Sequence, residues 1–205
     1  MVLELKDIGK NYGGRRVLNA IGLRAAGGEV VSVTGPNGSG KSTLLKIVAG
    51  LLRPSRGEVT LTIDGGALDA AARRRAIGYA APDLELYPEL TGRENLQFFA
   101  AVRGLRLPAT EAARRLADVG LAGRGEDPLG AYSSGMRQRL RLALALLHEP
   151  RVLLLDEPSL ALDEGGVAMV ARIVEAQRGA GGLTVLATND PRETALGERG
   201  FVLGG

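Results

Sequence analysis

No cysteine and no tryptophan occur in this chain of 205 residues, histidine appears once, and lysine appears only at positions 6, 10, 41 and 46. The absence of thiols excludes disulfides and thiolate metal sites and fits a reducing compartment. Aromatic residues make up 3% of the chain, so the core must be assembled from Leu, Val, Ile and Ala. No apolar run approaches the roughly 18 residues of a membrane-spanning helix, and Glu4 and Asp7 break the pattern of a leader. The expectation is a soluble protein whose membrane role, if any, comes through a partner. The formal net charge is only +3 although Arg outnumbers Lys 22 to 4. Basic and aromatic residues are not interleaved, so no nucleic-acid partner is expected. The run Arg73-Arg74-Arg75 reads as a solvated helix face. The length allows one sizeable core with an inserted lobe and is short for two independent domains.

Glycine, by contrast, is plentiful, and one cluster carries chemistry. Gly35-Pro36-Asn37-Gly38-Ser39-Gly40-Lys41-Ser42, followed by Thr43, fits G-x-x-x-x-G-K-[ST]. It lies between a strand-like apolar run at 30–33 and a helix-like run at 44–49, the context such a loop requires. Glycines 35, 38 and 40 let the backbone fold its N–H groups around phosphate oxygens. Lys41 adds a charge for the β- and γ-phosphates, and the Ser42 hydroxyl suits Mg²⁺. The helix that begins near Lys41 points its free amides and positive end at the same anion.

The segments 2–8, 17–23, 29–34 and 58–63 read as strands separated by Gly13-Gly14, Gly27-Gly28 and a turn at 54–57. From 84 to 132 the periodicity becomes helical, with runs at 93–102 and 111–119. Ser133 and Ser134 then precede an amphipathic run that ends at Leu147, before His148-Glu149-Pro150. A buried-strand run at 152–155, a helix at 167–177, a strand at 184–187, a short helix at 192–196 and a strand at 201–203 complete an α/β alternation.

The run 152–155 ends in Asp156-Glu157. Ligands gather at the carboxyl ends of strands in open α/β sheets, which puts this pair beside the phosphate loop. Asp156 is placed to hold Mg²⁺, and Glu157 to orient water for attack on a γ-phosphate. Read alone, Asp-Glu-Pro could equally end a strand. The guanine motif N-K-x-D needs a lysine well after the loop, and none follows Lys46, so ATP is the expected nucleotide.

Together these residues resemble the ATP-binding-cassette ATPases over essentially the whole chain. The decisive segment is Tyr132-Ser133-Ser134-Gly135-Met136-Arg137-Gln138-Arg139, similar to that family's signature motif. The resemblance implies an α/β P-loop NTPase core with an N-terminal antiparallel β subdomain and an inserted α-helical subdomain. As a single 1–205 domain, residues 1–83 and 136–205 would form the catalytic core and 84–135 the helical part. It implies ATP and Mg²⁺ as cofactors, and a head-to-tail dimer in which Ser133, Ser134, Gly135 and Met136 of one copy cap the nucleotide of the other. It also implies a membrane-spanning permease partner and attachment through it to the inner face of the cell membrane. Tyr12 sits where the family places an aromatic against adenine, although a lone tyrosine could also be a packed strand residue. Leu160-Ala161-Leu162-Asp163 resembles the loop that crosses the dimer interface, with Leu160 in place of the usual serine.

Two positions depart from the family. The glutamine that touches Mg²⁺ falls on Pro82, with Asp83 next, and the switch histidine falls on Asn189, which can donate a hydrogen bond but cannot become cationic. The lone His148 is expected to be structural. Phe98 and Phe99 are candidates for a permease-receiving groove or for core packing. The chain resembles in its length the haem-exporter ATPases of cytochrome c maturation. A transporter motor is the first expectation, and a soluble ATPase that uses ATP as a latch the second.

Overall fold

The computed structural model describes residues 1–204. The chain opens with a long hairpin, β1 (Val2–Tyr12) and β2 (Arg15–Ala26), turned by Gly13 and Gly14 at φ 51° and 88°. Positive φ at both central residues matches the twist of the flanking strands. After β3 (Val30–Thr34) and α1 (Lys41–Val48), β4 (Arg56–Ile63) pairs with the free side of β1. With β5 (Gly66–Ala67) these strands form an antiparallel sheet in the order β2-β1-β4-β5. The β1–β2 and β1–β4 registers both slip beyond the first few pairs, which explains why β1 runs past the clean alternation at 2–8.

The remaining elements are α2 (Ala70–Ala76), β6 (Ile77–Ala80), α3 (Gly92–Val102), α4 (Ala109–Asp118) and α5 (Ser134–Leu146). They continue with β7 (Val152–Asp156), α6 (Glu164–Gly179), β8 (Leu183–Ala187), α7 (Pro191–Thr194) and β9 (Arg199–Val202). Five strands build a parallel sheet in the order β6-β7-β8-β3-β9. Every residue of β7 and β8 is buried, as expected of strands covered on both faces. Leu153 and Leu155 face one core, shared with α3, α4, α5 and α6, while Val152 and Leu154 face the other, shared with the antiparallel sheet and α1. Period-two alternation therefore sorts one continuous apolar run between two cores.

The helices start where local chemistry sets them. Thr91 and Glu94 form a reciprocal capping box on α3, Ser133 caps α5, and Asp163 caps α6. α6 begins three residues earlier than its apolar period suggests, because that cap fixes it. The arginine run on α2 is not wholly solvated: Arg74 and Arg75 are exposed, but Arg73 is half-buried and its Nη1 donates to the Val59 carbonyl at 2.6 Å. No described helix is long and apolar enough to cross a membrane.

Candidate nucleotide site

The loop between β3 and α1 is shaped by glycine and closed by lysine. Gly40 has φ 100°, and a Cβ there would lie 2.7 Å from Leu18 Cδ2 and 3.0 Å from Val17 Cγ1, so β2 presses directly on the start of α1. Lys41 is 6% exposed, and its Nζ donates to the carbonyls of Gly35 at 2.7 Å and Pro36 at 3.3 Å. The ammonium is thus held inside the loop. Asn37, Gly38, Gly40, Lys41, Ser42 and Thr43 line a cleft of about 290 Å³ together with Val17 and Glu157. Ser39 completes the loop by donating its amide to Pro36 O at 3.1 Å. Tyr12 is not in that cleft; it is 48% exposed at the hairpin end, with Lys10 Nζ 5.1 Å from its ring centroid.

β7 delivers the two carboxylates. Asp156 is 3% exposed and its Oδ1 has no hydrogen-bond partner. Burial pushes its carboxyl up from the usual range, the charges of Glu157 and Asp83 push the same way, and the Ser42 hydroxyl and Lys46 oppose them. A buried carboxylate oxygen without a donor, beside a hydroxyl, is a hard oxygen pair that fits a divalent cation such as Mg²⁺. Glu157 takes φ 45°, a left-handed conformation that costs a β-carbon-bearing residue roughly 1–2 kcal/mol. Its amide donates to Ala187 O at 2.8 Å, which ties the turn to β8. Glu157 also lines a second cleft of about 480 Å³, shared with Asn37, Leu160, Ala161, Leu162 and Asn189. Across it, Asn189 Nδ2 donates to Asn37 Oδ1 at 3.2 Å. The structure therefore brings Asn37, Lys41, Ser42, Asp156, Glu157 and Asn189 together.

The serine-rich segment lies elsewhere. Ser133 and Ser134 are exposed, and neither they nor Gly135 and Met136 line either cleft. Ser133 Oγ accepts from the Met136 amide at 3.2 Å. A Cβ on Gly135 would stand 2.8 Å from Ala161 O, so the start of α5 rests on the loop after Glu157. That loop carries Leu160, 51% exposed, Ala161 at φ 63°, half-buried Leu162, and Asp163, whose Oδ1 accepts from Arg139 Nη2 at 3.0 Å.

Pro82 and Asp83 follow β6. The Asp83 carboxylate is exposed and ion-paired with Lys46 on α1. Arg141 Nε donates to Leu84 O at 2.9 Å. Further along, fully buried Asn95 accepts from the Tyr87 amide at 2.9 Å and donates to Tyr87 O and Thr91 O at 3.0 Å each. Phe98 packs edge-on against Tyr87, while Phe99 lines a groove of about 640 Å³ with Leu51, Ile77, Tyr79 and Val102, rimmed by Arg74, Arg75 and Arg103. His148 is half-buried at the end of α5, its Nε2 3.1 Å from Ile77 O and 3.2 Å from Arg103 Nη1.

Three buried polar contacts of this region are not foreseen from the sequence, those of Asn95, Gln138 and Glu193. Gln138, 2% exposed, donates to Pro158 O at 3.1 Å, and Glu193, 2% exposed, accepts from the Ser159 amide at 2.7 Å. The one signal for Asn95 and Gln138 is a polar residue on a helix face otherwise turned to the core; Glu193 is the only buried residue of α7 and has none.

A glycine-built loop at a strand-to-helix turn, with a buried aspartate and then a glutamate at the end of a buried parallel strand, defines a P-loop nucleotide-binding protein. A model of the family described as ABC transporter matches residues 18–160, and the chain belongs to that family. It is 38% identical over 186 residues to the cytochrome c biogenesis ATP-binding export protein CcmA of Rhodopseudomonas palustris, covering 91% of this chain and 90% of that protein. It is 41% identical over 167 residues to the uncharacterized ABC transporter ATP-binding protein YhcH of Bacillus subtilis, covering 81% of this chain and 54% of that one. The chain thus spans about half the length of several curated relatives. Among solved structures, the dimeric post-hydrolysis state of the ATP-binding cassette MJ0796 bound to ADP and Pi superposes with a TM-score of 0.87 at 30% identity, covering 98% of this chain and 94% of that one. The fold is the ABC ATPase fold, with its antiparallel and parallel sheets and its helical subdomain.

Proposed function

We propose that the protein is an ATP-hydrolysing motor subunit that works as a head-to-tail dimer on a separate membrane permease. The observation that carries the reading is spatial: the loop and Glu157 line one cleft, Glu157 and Asn189 line the adjoining one, and buried Asp156 meets Ser42, while the exposed Ser133 and Ser134 line neither cleft. A nucleotide in the first cleft would need those serines from a second copy.

In this reading the free backbone amides of the loop and of the first turn of α1, together with the Lys41 ammonium, take up the phosphates. Ser42 and Asp156 would hold Mg²⁺, which supplies charge neutralisation on the phosphate oxygens. Glu157 orients the attacking water and accepts its proton, helped by a backbone turn that aims the carboxylate out of the sheet. Asn189 offers an amide donor where a γ-phosphate would lie. The groove beside Phe99, apolar in its floor and basic at its rim, suits a short permease helix with acidic residues. We assign 84–135 as the helical unit that carries one wall of that groove. The attachment would then be peripheral, on the inner membrane face. The names of the relatives span import, export and drug resistance, so the likeness follows the motor and not a cargo.

The test is ATP turnover of the isolated chain and of Glu157→Gln. Slow hydrolysis in the first and a loss of at least roughly 100-fold in the second are expected. Equal turnover would refute the role of Glu157. A second reading, a regulatory ATPase that uses ATP as a latch, draws on Pro82 and on the Asn189–Asn37 hydrogen bond, which leave no cationic or glutamine sensor at the γ-phosphate. ATP-dependent dimerisation with undetectable turnover, and no membrane co-purification, would favour it.

A further inference from the structure

The single peptide group that joins Pro158 to Ser159 is held on both sides by side chains from two different helices. Gln138 Nε2, from α5, donates to Pro158 O at 3.1 Å, and Glu193 Oε1, from α7, accepts from the Ser159 amide at 2.7 Å. Both side chains are 2% exposed. A carboxylate is costly to bury, and it is retained where a charge-assisted hydrogen bond offsets the loss of water. Immediately upstream of this clamp stands Glu157 in its left-handed turn, and immediately downstream runs exposed Leu160. α7 is joined through Asp190 to Asn189, which contacts Asn37 of the phosphate loop. Asp190 fixes that short helix by accepting from the Arg192 amide at 2.8 Å.

We infer that Glu193 is a positioning residue that links Asn189, on the phosphate side, to the aim of Glu157 and to the loop 160–163 that meets a second copy. The inference rests on the proposed ATP-dependent dimer and adds a device inside one chain. A displacement of Asn189 toward a γ-phosphate carries α7, and α7 carries the Ser159 amide. The catalytic carboxylate and the interface loop then move as one unit. Glu193 touches no nucleotide in this scheme.

Two variants and two readouts test it. Glu193→Ala should lower kcat by on the order of tenfold while the ATP dissociation constant stays within about threefold, because the lost contact acts on the reacting geometry and not on the bound phosphates. Glu193→Gln keeps an acceptor oxygen at the same reach and should restore kcat to within about threefold of the parent. Hydrogen exchange of segment 157–163 without nucleotide gives an independent arm: Glu193→Ala should lose protection there, and Glu193→Gln should keep it. Unchanged exchange and turnover in Glu193→Ala would overturn the inference, as would a kcat loss that Glu193→Gln does not repair. If the parent chain hydrolyses no ATP, the motor reading fails by itself. The exchange arm still decides whether Glu193 holds the loop.

Discussion

The phosphate loop differs in how it is built from the positions expected to sense the phosphate, of which Asn189 lines the adjoining cleft while Pro82 and Asp83 line neither. Residues 35–42 make their site from backbone, and every fixed position of the motif is filled. The sensing positions are made from single side chains on loops, and both are changed, to Pro82 beside Asp83 and to Asn189. Even so, Asn189 reaches Asn37 at 3.2 Å and Asp83 pairs with Lys46 on the helix that begins at Lys41. A backbone site tolerates little change, because glycine conformations and close approaches cannot be replaced. A side-chain contact can be rebuilt from a different residue with altered strength.

The largest expected effect lies on the loop side. Lys41→Ala removes the ammonium that the loop carbonyls now hold, and ATP affinity should fall by roughly 100-fold, as for loss of a charge-assisted contact in a low-dielectric cleft. Equilibrium nucleotide binding checks it; a change below about threefold would mean that the backbone alone carries the phosphates. A smaller effect is expected at the sensing side. Asn189→His should raise turnover by about three- to tenfold with nucleotide affinity intact, since imidazole adds a chargeable donor near the γ-phosphate. An unchanged or lower rate would show that the amide is already the better fit.

The remaining expected effect is on stability, away from the cleft. Burial, with help from the Arg103 charge, lowers His148 from 6.5 to about 4. The unfolded chain therefore takes up this proton first on acidification. Its contribution to stability is complete above pH 6.5 and is lost as pH falls through about 4. Allowing for its partial exposure, about 1–2 kcal/mol should disappear across that window. His148→Gln should flatten this part of the denaturation profile, while an equal slope in the variant would place the titrating group elsewhere.

How much of this was readable in advance follows the same division. The loop, the Asp156-Glu157 strand end and the alternating strands were legible because each depends on residues close together in sequence. The cap of α5 at Ser133 was legible for the same reason. The exact reach of β1 was not, because its register slips against two neighbours at once. Arg73 looked solvated because only β4 packing shows that its guanidinium finds the Val59 carbonyl. Asn95 and Glu193 carry no motif of their own, and the signature-like segment that contains Gln138 does not show which group its side chain reaches. Gln138 and Glu193 reach backbone groups 20 and 34 residues distant in sequence, and no local periodicity encodes such approaches.

The central claim is that one chain holds only half of each ATP site. Sedimentation of the Glu157→Gln protein tests it most directly, with ATP, with ADP and without nucleotide, alongside the double variant that adds Gly135→Val. The added side chain would press on Ala161 O, which leaves no room for it. The account predicts a dimer only with ATP, and none once Gly135 is replaced although ATP still binds. A single copy that stays monomeric with ATP bound, or a dimer that forms equally well without nucleotide, would contradict it.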